Sequence, residues 1–364
     1  MHSYLHFPLI HTLIISIILA MEASLNCFNA FPFELLLTIV SFLPFKEAVR
    51  TSVLSKQWLN ICKFTPNLEF NELFFVEASQ HVETRESQRR AFLEFVKFWI
   101  ENHKGRELNK FSLRLPMPEK VTEVIHGCIA FATQRKVKEL ELDFADLNRN
   151  ENNVYFDDYE AKFDFPAQFY KHNYSLQSLK LYSCSFLEAE MINFHALKDI
   201  SLGWMEVRFT AIKALLSNCE RLESLCFKKC WSSNSFNLGE EEHAGLRKLV
   251  LDKCRFEFAH FKVNAPNLKV FKFCGLMNFL TIEINTPLME EAELDFSLEY
   301  GFEGHGQLLY NLVEGVSTAR VLTVCSFVLQ VYICVCIYIY FFQNSLVIVV
   351  IRIEIWNYGM IYLD

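Results

Sequence analysis

The chain has 364 residues, of which 52% are hydrophobic and 21% charged, which is room for one large domain or two ordinary ones and too apolar for extensive disorder. A net charge of -8 and scattered basic residues exclude the basic face of a nucleic-acid binder. Twelve cysteines in so long a chain, several at one phase of a repeat, point to reduced, buried thiols and not to a secreted disulfide scaffold.

Residues 1–24 read as an N-terminal extension. Leu9–Ala20 is an apolar run broken by His11 and Thr12, shorter than the roughly 20 residues a membrane span needs. It has no Lys/Arg segment in front of it, as a secretory signal would. Met21 follows at once, so translation from Met21 is an equal expectation.

Residues 25–72 form a helical module. Phe31-Pro32 opens a helix in which Leu35, Leu36, Ile39, Val40 and Leu43 fall at helical spacing. Pro44 ends it and can start the next, the amphipathic run Phe45–Ser52. Ser55 is placed to cap a third helix carrying Trp58 and Ile61. So short a module cannot enclose all these side chains, so the excess must be covered by the rest of the chain or by a partner.

A linker, residues 73–107, carries Ala91, Phe92, Phe95, Val96 and Trp99 on one face of an expected amphipathic helix. Residues 108–330 then repeat a Leu-x-x-Leu-x-Leu template. It occurs at Leu108/Phe111/Leu113, Val137/Leu140/Leu142, Leu176/Leu179/Leu181 and Leu197/Ile200/Leu202. It continues at Leu222/Leu225/Phe227, Leu246/Leu249/Leu251, Leu268/Phe271/Phe273 and Met289/Ala292/Leu294. From Leu176 the starts lie 21, 25, 24, 22 and 21 residues apart, within the roughly 20–29 of leucine-rich repeats. Such a turn supplies one short strand and a return segment, and buries its apolar side only against its neighbours. Cys184, Cys230 and Cys254 each lie three residues past the last template position, where a thiol can bond backbone groups inside the turn. The stretch 148–160 reads as a long polar, acidic loop, and Gly301–Gly306 as a flexible connection.

Val321–Phe342 has no charge and is long enough to cross a bilayer. Residues 331–364, an apolar tail, nevertheless lack Lys, Pro, Ala, Thr and His and are dominated by Ile, Val and Tyr. That bias fits translated intron sequence better than a selected span, which favours Leu, Ala and Gly. HExxH, GxSxG and GxxxxGK[ST] are absent, and the histidines and carboxylates form no catalytic grouping, so no enzyme, metal or cofactor is expected.

Three strings sharpen this outline: Phe31-Pro32-Phe33-Glu34-Leu35-Leu36, Ser41-Phe42-Leu43-Pro44, and the run from Ala48 to Trp58. With Asn67-Leu68-Glu69-Phe70 they closely resemble the plant F-box family, in particular its leucine-rich-repeat subgroup. Phe31 stands where the family usually has Leu, and Phe33 where it has an acidic or polar residue. The resemblance implies an α/β chain, with a three-helix F-box followed by a curved solenoid of mainly parallel strands with irregular or helical returns. It implies a substrate receptor of an SCF-type ubiquitin ligase, binding a Skp-family adaptor and through it a cullin, with the repeats holding a protein target. The ubiquitin chemistry would then lie in other subunits, and the chain would be cytoplasmic or nuclear. Carried over residue by residue, adaptor contact falls on Pro32, Leu35, Leu36, Ile39, Leu43, Pro44, Val49, Leu54 and Trp58. Leu54 and Trp58 are the two most expected to face the helical core instead. The alternatives are a repeat protein anchored in a membrane through its apolar ends, or a truncated product without a ligase role.

Overall fold

Two prolines and a serine open the first three helices in the computed structural model. It describes residues 31–77, 80–145, 163–166, 169, 174–185, 194–238, 243–276, 281–298, 306–325 and 351–353. The N-terminal extension, the 148–160 loop and most of the apolar tail lie outside these residues, as does Gly301–Gly306 apart from its last glycine.

Helix α1 is Phe33–Ser41, α2 Phe45–Thr51 and α3 Lys56–Cys62. The Pro32 carbonyl accepts from the amides of Leu35 and Leu36, and the Pro44 carbonyl from those of Glu47 and Ala48. Proline sits here because its fixed φ suits a helix start and its missing N–H would have no helical partner anyway. Ser55 caps α3 as expected, its hydroxyl accepting the Trp58 amide at 3.3 Å. Leu36, Val40, Leu43, Ala48, Trp58 and Ile61 close the core of this head.

The sheet begins inside the segment read as part of the head. Strand β1, Asn67–Asn71, pairs in parallel with β2, Lys110–Arg114. Between them runs helix α4, Val82–Asn102, which buries Phe92, Val96 and Trp99, half-buries Phe95 and, against expectation, leaves Ala91 exposed at the rim of that face. Phe45 of α2 lies 5.3 Å, ring to ring, from both Phe70 of β1 and Trp99 of α4, so the head and the repeats share one continuous core.

From β2 the parallel sheet continues through β3 (Glu139–Asp143), β4 (Ser178–Tyr182), β5 (Asp199–Gly203) and β6 (Ser224–Lys228). Of the strands that follow, β8 (Lys248–Asp252), β10 (Val270–Cys274), β12 (Glu291–Asp295), β13 (Val321–Val324) and β14 (Ile351–Ile353) complete eleven. Helices α5 (Thr122–Gln134), α6 (Phe209–Asn218) and α7 (Gly306–Gly315) form three of the returns. Other returns contribute a second, three-stranded parallel sheet of β7 (Trp231–Leu238), β9 (Arg255–Asn264) and β11 (Thr281–Asn285). Every template side chain is buried, none more than 3% exposed. Thr65/Leu68/Phe70 and Ala319/Leu322/Val324 occupy the same positions in β1 and β13, two turns that a leucine template does not reveal. The first residues of the candidate membrane span are therefore strand β13, paired with β12. No helix among the described residues is long and apolar enough to cross a membrane.

The chain leaves several strands through one recurring turn. Ser183, Trp204, Lys229 and Lys253 all have φ between 50° and 57°. Their amides donate to the next strand's exit, at Gly203, Lys228, Asp252 and Cys274 respectively. A left-handed non-glycine residue costs about 1–2 kcal/mol, which the inter-turn bond and the buried neighbours offset. One residue later the thiols act as the repeat reading expected. Cys230 donates to the Leu202 carbonyl and Cys254 to the Phe227 carbonyl, both at 3.3 Å and each one turn back. Cys184 reaches the Tyr182 carbonyl at 3.7 Å. Burial pushes the Cys184 and Cys254 thiols well above their ordinary range, so they remain protonated donors at neutral pH.

Gly203 illustrates how tightly adjacent strands approach. A Cβ there would overlap the Tyr182 ring and sit 3.3 Å from the Lys228 carbonyl. Gly203→Ala is expected to cost about 1–3 kcal/mol, the range for forcing extra volume into a packed site. Chemical denaturation measures it, and adding Tyr182→Ala should recover part of the loss. A loss unchanged by that second substitution would place the strain on the backbone.

Candidate functional site: the outer face of the helical head

Helix α1 and the residues that end it carry apolar side chains on two neighbouring stripes, about 100° apart around the axis. Leu36, Val40 and Leu43 point inward and are buried, as the i, i+4, i+7 spacing requires. Leu35, Ile39 and Phe42 repeat the same spacing one residue earlier and point outward. Leu35 is 44% exposed, Phe42 72%, and Ile39 half-buried. The third stripe, Glu34, Thr38 and Ser41, is polar, so the helix keeps one apolar stripe that the head does not bury. At the other end of the head, Val53 is 85% exposed and Leu54 37%.

The nine residues singled out from sequence divide accordingly. Pro32, Leu35, Pro44 and Leu54 lie on the surface, Ile39 and Val49 are half-buried, and Leu36, Leu43 and Trp58 are in the core. Trp58 faces inward as expected, whereas Leu54 does not. Phe31, Phe42 and Val53 were not among the nine and are exposed as well. Their signal was present in the helical period. Residues 35, 39 and 42 form a stripe that a single buried face leaves over.

On α2 the exposed side of the head is charged. Arg50 is paired with Glu47 at 3.0 Å on α2, and Lys46 lies beside them. Of the large hydrophobics exposed among the described residues, most lie between Phe31 and Phe98, and only Met117, Tyr174, Leu288 and Val321 lie beyond. Apolar exposure concentrated at one end of a molecule marks an interaction site.

The open strand face of the solenoid has a different chemistry. Lys110 meets Glu69 at 3.1 Å, Arg114 meets Asp143 at 3.4 Å, and Lys272 meets Glu291 and Glu293 at 2.8 Å each. In its middle the Tyr182 ring lies over Gly203 with its hydroxyl 3.2 Å from that of Ser201, next to Trp204, above which sits the Lys228 ammonium. Farther along, a cavity of about 320 Å³ is lined by Asp252, Lys253, Lys272, Cys274, Glu293 and Asp295 among others. The described residues contain no group of three His, Cys, Asp or Glu side chains able to hold a metal ion.

The junction behind the head is titratable. His103 is buried, with Nε2 donating to the Thr65 carbonyl at 3.0 Å and Nδ1 left without a partner. Burial lowers its pKa; the Thr65 carbonyl opposes this and the nearby Arg135 guanidinium adds to it. The unfolded chain therefore takes up this proton before the folded one does. Stability is full above the ordinary value near 6.5 and falls as pH drops below it toward the folded pKa. The slope from this one group is at most about 1.4 kcal/mol per pH unit. Denaturant melts between pH 7.5 and 5 should show the loss, and His103→Phe should flatten it. An unchanged slope in that variant would assign the loss to other groups.

Comparison with known proteins adds to this geometry. Residues 28–69 match the F-box domain family, and residues 99–343 match the At1g61320/AtMIF1 leucine-rich-repeat domain family. Among curated relatives, the putative F-box protein At3g29830 of Arabidopsis thaliana is 32% identical over 83% of this chain and 65% of its own length. The putative F-box/LRR-repeat protein At1g56400 of the same plant is 29% identical over 82% of this chain and 62% of its own length. The F-box protein At3g62230, also from that plant, is 31% identical over 81% and 64%. The chain thus spans just under two-thirds of the length of the curated relatives it matches.

Proposed function

As the chain belongs to the F-box proteins with a leucine-rich-repeat domain, we propose that it is the substrate-recognition subunit of an SCF-type ubiquitin ligase. The head docks a Skp-family adaptor, the adaptor connects to a cullin, and the strand face of the repeats binds a protein target. The outward stripe of Leu35, Ile39 and Phe42, left open beside the buried stripe of Leu36, Val40 and Leu43, carries this reading. Each such side chain contributes roughly 1.5–3 kcal/mol when an interface buries it, enough in a small group to outweigh the cost of association.

The chain's part in catalysis is positional. A target lysine held on the same rigid body as the adaptor site is presented to the ubiquitin-loaded enzyme at a raised effective concentration. The continuous aromatic core from Phe45 through Phe70 to Phe111 supplies that rigidity. Mixing the full chain with a purified Skp-type adaptor should give a complex stable to gel filtration. Failure to associate at tens of micromolar would remove the proposal.

A further inference from the structure

Apolar exposure does not stop at the three helices. After β1 a single 3-10 turn, Glu72–Phe74, leaves Leu73 37% and Phe74 60% exposed. The turn is firmly held. Its Glu72 carboxylate is buried and accepts from Arg89 Nη1 at 3.1 and 3.3 Å, while Arg89 Nη2 donates to the Met117 carbonyl at 2.9 Å. The Asn71 side chain accepts the Leu73 amide at 3.0 Å, and the Phe75 ring packs 5.2 Å from Phe92 and 5.1 Å from Phe95. Two bulky side chains are thus presented outward on a backbone with little freedom, the arrangement that makes a low-entropy anchor.

This turn adjoins helix α2 of the head. On α2 the buried residues are Phe45, Ala48 and Thr51, so the exposed Lys46, Arg50 and Val53 form the opposite stripe. That stripe runs from Val53 to Lys46, whose ammonium sits 4.1 Å from the centroid of the Phe74 ring. The cation fixes one face of the ring and leaves the remainder to solvent.

We propose that Leu73 and Phe74 form a second anchor for the adaptor, which therefore grips the head and the first turn of the solenoid together. This rests on the reading of the head as the adaptor site. An adaptor touching both would set the angle of the repeat body directly instead of through the head alone.

The test measures affinity between the full chain and a purified Skp-type adaptor by calorimetry, with backbone amide exchange as a second readout. Leu73→Ser with Phe74→Ala should raise Kd about tenfold or more, as loss of an interface anchor does, with the melting temperature unchanged. In the wild-type complex, exchange at amides 72–76 should slow. A Kd within about twofold of wild type and no protection at 72–76 would overturn the second anchor; if Leu35→Asp with Phe42→Asp still abolishes binding, the head reading stands without it. If neither pair weakens binding, both readings fall. Should the Leu73/Phe74 variant not fold, the wild-type footprint decides alone, protection supporting the anchor and its absence removing it.

Discussion

Leu35→Asp combined with Phe42→Asp should abolish adaptor capture, with Kd raised at least about 100-fold, and leave the melting temperature of the free chain essentially where it was. Leu35 is 44% and Phe42 72% exposed, so both side chains already meet solvent in the monomer. Leu35 lies in the first turn of α1, where a carboxylate is favourable, and Phe42 is the C-cap, where one is unfavourable by a similar amount of about 0.3–1 kcal/mol, so the two effects on stability largely offset. In a complex the two carboxylates would have to shed water against an apolar partner surface, which costs several kcal/mol per group unless each finds a counter-charge. Isothermal calorimetry and a thermal melt on the same preparation separate the two effects. Unaltered affinity would move the docking surface off α1. A pair such as Leu43→Asp with Pro44→Ala tests nothing comparable, because Leu43 is 8% exposed and its replacement would act by unfolding the head.

Arg89→Met should destabilise the folded chain by about 3–5 kcal/mol, the cost of leaving a buried carboxylate without its partner. The pair is well enclosed, with the side chains of Arg89 and Glu72 12% and 4% exposed and 3.1 Å apart. Burial already raises the Glu72 carboxyl above its ordinary value, opposed by the Arg89 charge and hydrogen bond. Without the guanidinium the carboxyl rises further. A carboxyl whose folded pKa is raised contributes most below its unfolded value, and that contribution is lost as pH climbs through the folded one. The variant should therefore lose less stability near pH 5 than near pH 8, and Glu72→Gln in the same background should recover much of the loss. Urea melts at both pH values measure this. A loss equal at both, untouched by Glu72→Gln, would show that the Arg89 stem acts by packing or through the Met117 carbonyl instead.

The repeat body was legible because its periodicity repeats one local requirement. Leu176/Leu179/Leu181 and its successors must all reach the same inner layer, and all of them do. The Ser55 cap and the apolar face of α4 were equally local and equally readable. The two flanking turns were harder to find, since Thr65 and Ala319 take inner positions that leucine holds elsewhere. The first of these turns packs on the helical head and not on another repeat, so the side-chain volume required there differs. The second sheet of β7, β9 and β11 had no template to announce it. Its strands pair with one another across successive returns, and Phe236 stacks on Phe256 and Phe261 at 5.6 and 5.4 Å through contacts 20 or more residues apart in sequence.

The candidate site was half legible. Helical spacing identified which residues of the head are apolar, and the family strings identified what such a head does. Neither separates Leu35 from Leu36, because consecutive leucines differ only in which way the helix is rolled.

By itself the sequence determined the kind of protein: a short helical head, then stacked strand turns whose inner residues recur at near-constant intervals. Those properties follow from backbone geometry within a few residues, which composition and period encode directly. The tertiary structure decided which face of the head stays open, because that depends on how α1 rolls against α2 and α3 and on how Phe45 is drawn into the core with Phe70 and Trp99. It also decided that Phe74 lies against Lys46 of α2, a contact made across the chain. Burial is a property of the whole packed core, and no window of sequence contains it.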